Sequence, residues 1–380
     1  MKKITIAIIG LSFGENFARI YAHHPNVKRV ILVDNNPKNV KKTIESIHTD
    51  NISVYDSFDE VISDPEVDAV HVCTGIPSHA SLSIAVLKSG KHCACAVPMA
   101  TSLDDIKAIV ETTRKTGKIY MMMETMLYGA HYLKAKNMFE KGEFGKIQHM
   151  RGVHYQPMDY GYWNRSVTSY WQGLPPMHYA THAIAPLYGI AGSRIEKVVC
   201  FGSGTMSEKL MSSYQNPYPI EDALLSFENG LKGEVVRGLF ECSAPSTESF
   251  NIYGSKRTFL GEYGTEIWTK EYDETKYDYA AFTNEYIKYR NCYELLPQSI
   301  QRFTITEDDE KEVTREMLET LPLIAHHGSH PHLCHEFVMS IIEGRKNFIN
   351  EDVAANITAA GVCAHISAMN GGTLEIVPEF

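Results

Sequence analysis

The chain has 380 residues, of which 44% are hydrophobic and 22% charged, the composition of a folded globular protein rather than a disordered or fibrous one. That length is more than one ordinary core fills, so two domains are expected. The formal net charge of -10 excludes a nucleic-acid partner, since a phosphate backbone requires a basic surface.

Met1-Lys2-Lys3 has the look of a signal-peptide start, but the apolar run Ile4 to Ile9 is too short to continue one and leads into Gly10. No stretch approaches the roughly 18 apolar residues of a membrane span, so no membrane partner is expected. The 8 cysteines are scattered, without a Cys-x-x-Cys pair, and Cys93 and Cys95 would point to opposite faces of a strand. Reduced thiols and a cytoplasmic location follow.

Short apolar runs alternate with amphipathic stretches through the first 122 residues, the pattern of a parallel sheet wrapped by helices. Strands are predicted at Ile4–Ile9, Arg29–Val33, Ala69–Cys73, His92–Ala96 and Ile119–Met122. Helices are predicted at Glu15–Ala22, Pro37–Ser46, Phe58–Ile62, His79–Ser89 and Leu103–Thr116. Asp104 and Asp105 favour the start of the last of these and Gly117 its end.

From about Glu124 the pattern changes to alternating segments at Lys146–His154, Lys197–Gly202, Ala223–Phe227, Gly233–Phe240 and Ser249–Tyr253, which predict a mostly antiparallel sheet. Helices are predicted at Ala130–Glu140, Met177–Tyr188 and Leu333–Gly344, and irregular structure over residues 262–312. The expected fold is α/β: a doubly wound Rossmann domain over residues 1–122, then an α+β domain with an open, mostly antiparallel sheet over 123–380.

The first strand ends in Gly10-Leu11-Ser12-Phe13-Gly14, where a Rossmann fold turns sharply and aims a helix N-terminus at a pyrophosphate. Ser12 and Glu15 stand at the second and third glycine positions of the strict motif. An ordinary strand-to-helix turn would read the same way, but Asp34 closes the second strand near the offset of a ribose-binding acid. A carboxylate there accepts ribose hydroxyls and repels a 2′-phosphate, so the expected cofactor is NAD rather than NADP.

Two further segments carry a family resemblance. Asp68 to His79, containing Thr74-Gly75-Ile76-Pro77-Ser78-His79, resembles the strand and Thr-Pro-x-x-x-His loop of the Gfo/Idh/MocA family, named for glucose–fructose oxidoreductase and inositol dehydrogenase. Gly90 to Ala100 is similar to that family's Gly-Lys-His-x-x-x-Glu-Lys-Pro segment. The resemblance implies that Thr74, Gly75, Pro77, His79, Val97 and Pro98 line the cofactor site, and that the protein is a homodimer or homotetramer.

The chain departs from the common pattern at two positions. Val97 replaces the usual Lys, and His178 stands where the family has an Asp, leaving His182 in register. The missing Lys removes a charged group that would hold and deprotonate a substrate hydroxyl. One branch, the NAD-dependent α-N-acetylgalactosaminidases, is similar in these respects. It resembles Val97-Pro98, Met121-Met122-Met123-Glu124, Tyr179-Ala180-Thr181-His182-Ala183-Ile184-Ala185-Pro186 and His327-Gly328. The branch implies transient oxidation at the sugar C3, loss of the C2 proton, elimination of the aglycone, water addition and re-reduction.

Residues 178, 179 and 182 share one face of a predicted helix by their spacing. Two imidazoles and a phenol there can hold a sugar hydroxyl and move its proton, which makes His182, Tyr179 and His178 the catalytic candidates; half-buried aromatics bonded to backbone are the alternative. His178 and His182 also have the i, i+4 spacing of a zinc pair, but no third ligand declares itself and no metal is expected. His327 and His330, in the run His326-His327-x-x-His330-x-His332-x-x-His335, are candidate substrate ligands or members of a solvated loop. Glu124, at the expected end of the sixth Rossmann strand, is a candidate cofactor contact or a capping acid. Trp163, within the aromatic run Tyr155, Tyr160, Tyr162, Trp163, Tyr170 and Trp171, is a candidate sugar-stacking surface or core residue.

The expected function is NAD-dependent hydride transfer from a ring carbinol of a sugar, polyol or glycoside. The alternative is a redox-neutral glycoside hydrolase or lyase working through a transient 3-keto sugar. A cofactor-binding sensor without chemistry is the third reading, and the Tyr179, Thr181 and His182 cluster argues against it.

Overall fold

Every residue of β1 (Ile4–Ile9) is buried, which requires cover on both faces of its sheet. The computed structural model describes residues 2–158, 169–211, 214–242, 246–261, 266–271, 281–286, 292–306 and 312–380. β1 pairs in parallel with β2 (Val27–Val33) and β4 (Ala69–Val72). The sheet continues through β3 (Ile52–Val54) on one side and β5 (His92–Cys95) and β6 (Tyr120–Met122) on the other. Its order, β3-β2-β1-β4-β5-β6, is parallel throughout, the doubly wound Rossmann arrangement. β3 escaped sequence reading because three residues are too few to show a period.

Helices α1 (Leu11–His23), α2 (Pro37–Glu45), α3 (Phe58–Ser63), α4 (His79–Lys88) and α5 (Leu103–Thr116) connect these strands. Their ends follow local chemistry. Asn36 accepts from the Lys38 N–H to start α2, with Pro37 at its first position. Ser102 accepts from the Asp105 N–H to start α5, and Gly117, at φ 63°, ends it.

The chain forms two compact units that do not follow chain order: residues 1–130 with 291–358 and 380, and residues 131–290 with 359–379. The expected division at 122/123 follows chain order and separates 291–358 from the unit it packs with. The cause is cover. β6 is an edge strand, and its Met122 N–H donates to Ile349 O (3.1 Å) while Asn347 donates to Tyr120 O (2.9 Å). α1 carries an aromatic and imidazole face that packs against the later helices of the same unit. Phe17 meets His330 (ring centres 4.8 Å), His23 meets Phe303 (5.3 Å), and His24 Nε2 lies 3.0 Å from His335 Nδ1. Phe303 lies in a 3-10 turn (Arg302–Thr304) just after α8 (Gln298–Gln301), and His330 and His335 lie on α10 (His330–Glu343), which follows α9 (Arg315–Thr320).

The second unit is built on a nine-stranded sheet. Its strands are β7 (Ile147–Tyr155), β8 (Ile195–Ser203), β9 (Ile220–Phe227), β10 (Lys232–Gly238), β11 (Thr247–Gly254), β12 (Arg257–Leu260), β13 (Glu266–Glu271), β14 (Ala281–Tyr286) and β15 (Glu375–Ile376). The order is β14-β13-β12-β11-β7-β10-β9-β8-β15, antiparallel except for the β7·β10 pair. Residues 262–312, expected to be irregular, contribute β13, β14 and α8. Helix α6 (Ala130–Glu140) precedes β7, and the last helix, α11 (Glu351–Met369), belongs to this unit from Ala359 onward.

The helix predicted over Met177–Tyr188 is two pieces: a 3-10 turn at Pro176–Tyr179, then α7 (Thr181–Ala191). The His178 N–H bonds Pro175 O, three residues back, and the Met177 N–H is taken by the Glu221 carboxylate, so the α ladder starts only at Thr181. α7 lies directly on β7, where a Cβ at Gly152 would overlap the Ala183 carbonyl.

Two stability predictions follow from this packing. Gly152→Ala forces α7 off β7 and should destabilise the protein by about 1–3 kcal/mol, read as a lowered urea midpoint; an unchanged midpoint would contradict the contact. Burial holds His24, with His335 adding, and His71, with His79 adding, at about 3. Burial and His335 hold His332 at about 4. At these three sites the unfolded chain binds more protons once the pH falls below the ordinary histidine value of 6.5, so their contribution to stability is complete above that and declines as the pH drops toward 3. Urea unfolding between pH 6.5 and 5, above the carboxylate range, should show a falling midpoint.

Candidate functional site

In the first unit, Gly10 follows β1 at φ 88°, and a Cβ there would lie 2.7 Å from Cys73 O, so only glycine fits the turn. A Cβ at Gly14 would meet Ile8 at 2.8 Å; Gly14 therefore gives the close helix–strand approach usually supplied one residue later. Glu15 occupies that later position and turns aside to Arg19 (2.7 Å) and Lys42 (2.6 Å). Burial raises its proton affinity, but these two cations outweigh it and the carboxyl sits below its ordinary range. Ser12 and Phe13 are exposed in the first turn of α1, whose N-cap, Gly10, has no side chain to bond it. That leaves a helix N-terminus suited to an anion.

Asp34, just past β2, accepts from the Leu11 N–H (2.6 Å), the Asn36 N–H (2.7 Å) and the Asn39 side chain (3.2 Å). It therefore ties the glycine turn to the start of α2, and carboxylate oxygens accept more than one donor. Beside it opens a cavity of ≈ 440 Å³ lined by Asp34, Pro37, Ile44, Val54 and Tyr55 among others. Apart from Asp34, neither Asn39 nor the cavity walls are marked as site residues by the sequence.

Beyond β4, Thr74 Oγ1 lies 2.7 Å from Ser78 Oγ, and Gly75 precedes the turn that carries Pro77. His79 joins two loops, its Nδ1 2.7 Å from Pro98 O and its Nε2 3.0 Å from Thr74 O. Two carbonyls can both be satisfied only by an imidazole protonated on both nitrogens. Burial opposes that charge, but the Cys95 sulfur and the two carbonyls outweigh it and raise His79 to about 9. Val97-Pro98, a cis bond, follows β5. Glu124 is fully buried and accepts from the Met126 N–H (3.0 Å), capping a short turn.

His330 is 2% exposed, its ring centre 4.8 Å from that of Phe17 and 5.7 Å from that of Phe13. Burial, then His326 and His71, push its proton affinity well down. It sits in the α1–α10 packing, whereas His327 lies half-buried in the preceding turn, where His326, His327 and Gly328 all have positive φ. Trp163, with Tyr160 and Tyr162, lies outside the described residues.

The second unit brings His182 and Tyr179 together, ring centres 5.5 Å apart. His154 on β7 joins them at 5.1 Å from His182 and 6.2 Å from Tyr179, and Trp171 packs edge-on to Tyr179 at 5.0 Å. His178 packs instead against His365 of α11, at 4.9 Å. Glu221 ties that pair down: one oxygen lies 2.7 Å from His365 Nδ1 and the other accepts from the Met177 N–H (2.8 Å). Burial, with His365 adding, lowers His178 to about 3, so it is a neutral imidazole over the working pH range. Arg237 of β10 is fully buried and donates to Tyr179 O (2.9 Å).

Arg237, Glu221, His154 and His365 were not singled out from sequence, although a signal existed for the three on strands. Each is a polar residue in the buried phase of an alternating strand, with Val235, Ala223 and Leu225, or Met150 as its apolar partners on the same face. Among the described residues no helix is long and apolar enough to cross a membrane, and no group of three or more metal-ligating side chains forms. No disulfide joins any two of the described cysteines.

Residues 4–124 match the oxidoreductase family with an NAD-binding Rossmann fold, and residues 132–260 match the GFO/IDH/MocA C-terminal domain. A Phocaeicola vulgatus protein named glycosyl hydrolase family 109 protein 1 is 23% identical, the alignment covering 99% of this chain and 84% of that one. A Porphyromonas gingivalis glycosyl hydrolase family 109 protein is 22% identical over 100% of this chain and 85% of its own. Among solved structures, levoglucosan dehydrogenase in complex with NADH and levoglucosan has a TM-score of 0.76 at 18% identity, covering 100% of both chains. The likeness to these structures is one of fold. With both of its domains matched in order, the chain belongs to the GFO/IDH/MocA oxidoreductase family.

Proposed function

We propose that the protein is an NAD-dependent oxidoreductase that removes hydride from a ring carbinol of a sugar, polyol or glycoside, with His182 taking the hydroxyl proton. The observation that carries this reading is the Tyr179–His182–His154 cluster in a chain of this oxidoreductase family. NAD supplies a hydride acceptor when bound. The residues present fit it: the exposed first turn of α1 at Ser12 and Phe13 suits a pyrophosphate, and Gly10 and Gly14 allow its approach. Asp34 and the cavity beside it suit an adenosine, and Thr74, Gly75, Pro77, His79, Val97, Pro98 and Glu124 are the proposed remaining cofactor contacts. Val97 offers no charge to hold a hydroxyl, so proton handling falls to His182 and Tyr179, with His178, His327, His330 and Trp163 as proposed substrate contacts.

A second reading, redox-neutral cleavage of a glycoside, is favoured by the two glycosyl hydrolase family 109 relatives that match nearly the whole chain. In that reaction a base must also take the C2 proton, and Tyr179 is the candidate. Cysteines scattered through the chain without a disulfide among the described residues support a cytoplasmic location. Exposed Phe201, Leu224 and Ile376, on the paired strands β8, β9 and β15, support a homodimer or homotetramer.

Incubation with a panel of nitrophenyl glycosides, with and without NAD, distinguishes the readings. NADH formation alone indicates a dehydrogenase, and aglycone release without net NADH indicates the cleaving enzyme. Neither product from any glycoside or free sugar would sink both. His182→Ala should lower turnover by about 10² to 10⁴ while NAD affinity holds; near wild-type turnover would remove His182 from the assignment. Asp34→Ala should weaken NAD binding and narrow its preference over NADP, measured by fluorescence titration, because the ribose acceptor and the repulsion of a 2′-phosphate are lost together.

A further inference from the structure

The segment from Met177 to His182 rests on a row of ionisable side chains. β9, β10, β7 and β11 are consecutive in the sheet, and their register sets Glu221 opposite Arg237, Arg237 opposite His154, and His154 opposite Glu248. Glu221, Arg237 and His154 are each 0% exposed. Buried charges need compensating partners, and the way Arg237 is compensated is specific.

Arg237 Nε donates to Tyr179 O (2.9 Å), and its Nη1 donates to His154 O (3.0 Å) and Gly238 O (2.7 Å). Its Nη2 donates to Gln156 Oε1 (3.1 Å). All four acceptors are neutral, and among the described residues no carboxylate bonds the guanidinium. Its Cζ lies 5.4 Å from the centre of the Tyr179 ring. The same cation thus holds the Tyr179 backbone and lies over its phenol.

We infer that Arg237 is the positioning residue for Tyr179, anchoring its backbone and stabilising its phenolate, so that Tyr179 can give up and take back a proton near neutral pH. This rests on the reading of Tyr179 as a proton-handling group. A cation beside an ionisable phenol favours its charged form, whereas burial disfavours it. Among the described residues, the other titratable groups whose rings meet it are His182 of α7 at 5.5 Å and His154 of β7 at 6.2 Å. Glu248 stands behind His154, 3.6 Å from its Nε2, and Glu221 is engaged by His365 and the Met177 N–H. These carboxylates offset part of the cation's field but stand beyond its own bonding shell. Burial draws Arg237 down to about 10, opposed by the negative charges that Tyr179, Glu248 and Cys242 carry when ionised, so it remains charged at neutral pH.

The test is a ¹³Cζ-tyrosine NMR titration of the whole chain, with Tyr179→Phe assigning the signal. Tyr179 should ionise about one to two pH units below the ordinary phenol midpoint of about 10. Arg237→Lys keeps the charge and should retain most of the shift, while Arg237→Met should move the midpoint to 10 or above. A wild-type midpoint at or above about 10, or one unmoved in a folded Arg237→Met chain, overturns the inference. If the Met variant does not fold, the wild type decides: a role in packing alone leaves its phenol unshifted. The titration needs no substrate, so failure of hydride transfer would sink the functional reading and leave this result standing.

Discussion

A guanidinium removed from water must find an oxygen for its N–H groups, or the fold loses on the order of several kcal/mol for the ion. Arg237 finds them in the carbonyls of Tyr179, His154 and Gly238 and in the Gln156 amide. Those acceptors lie on β7, at its end, on β10 itself and on the turn before α7. Satisfying one buried cation therefore fixes where the Pro176–Tyr179 turn sits on the sheet. Glu221 makes the matching bond two residues earlier, at Met177, and reaches His365 with its other oxygen. The 3-10 geometry of that turn follows from these sheet-borne groups rather than from its own helix propensity.

The first unit depends on a different constraint, the close approach of backbone at the end of β1. Gly10 must pass Cys73 O without a Cβ, and Gly14 must pass Ile8. With the chain held there, the Leu11 N–H reaches Asp34 and the exposed first turn of α1 is left open. His79 makes the equivalent tie further along the sheet, joining the loop after β4 to the one after β5. Both ties connect the C-terminal ends of parallel strands, the edge where such sheets bind ligands.

Strand and helix periodicity made the six-stranded sheet legible, apart from β3, because its strands are apolar runs bounded by turn chemistry. The cofactor motif was legible for the same local reason: a glycine turn and an acid at a set offset lie close in sequence. The pairing of Tyr179 with His182 was also legible from spacing, even though the element carrying them is a turn followed by a helix. Two things were hidden. β13 and β14 lie in a stretch whose polar composition masks alternation, and residues 291–358 return to the first unit because an edge strand and a helix face there need cover.

By itself the sequence determined the sheet types, the cofactor turn, the acid that follows it and the reactive residue types after Pro176. These depend on neighbours a few positions apart, where backbone geometry translates spacing directly into a shared face. Only the tertiary structure decided that Glu221, Arg237, His154 and Glu248 form one row, because strand register sets residues up to 94 positions apart opposite one another or one strand removed. It also decided that His330 packs against Phe17 and that His178 meets His365. A polar residue in the buried phase of a strand reveals in sequence that it needs a partner; which partner it finds is settled by the sheet.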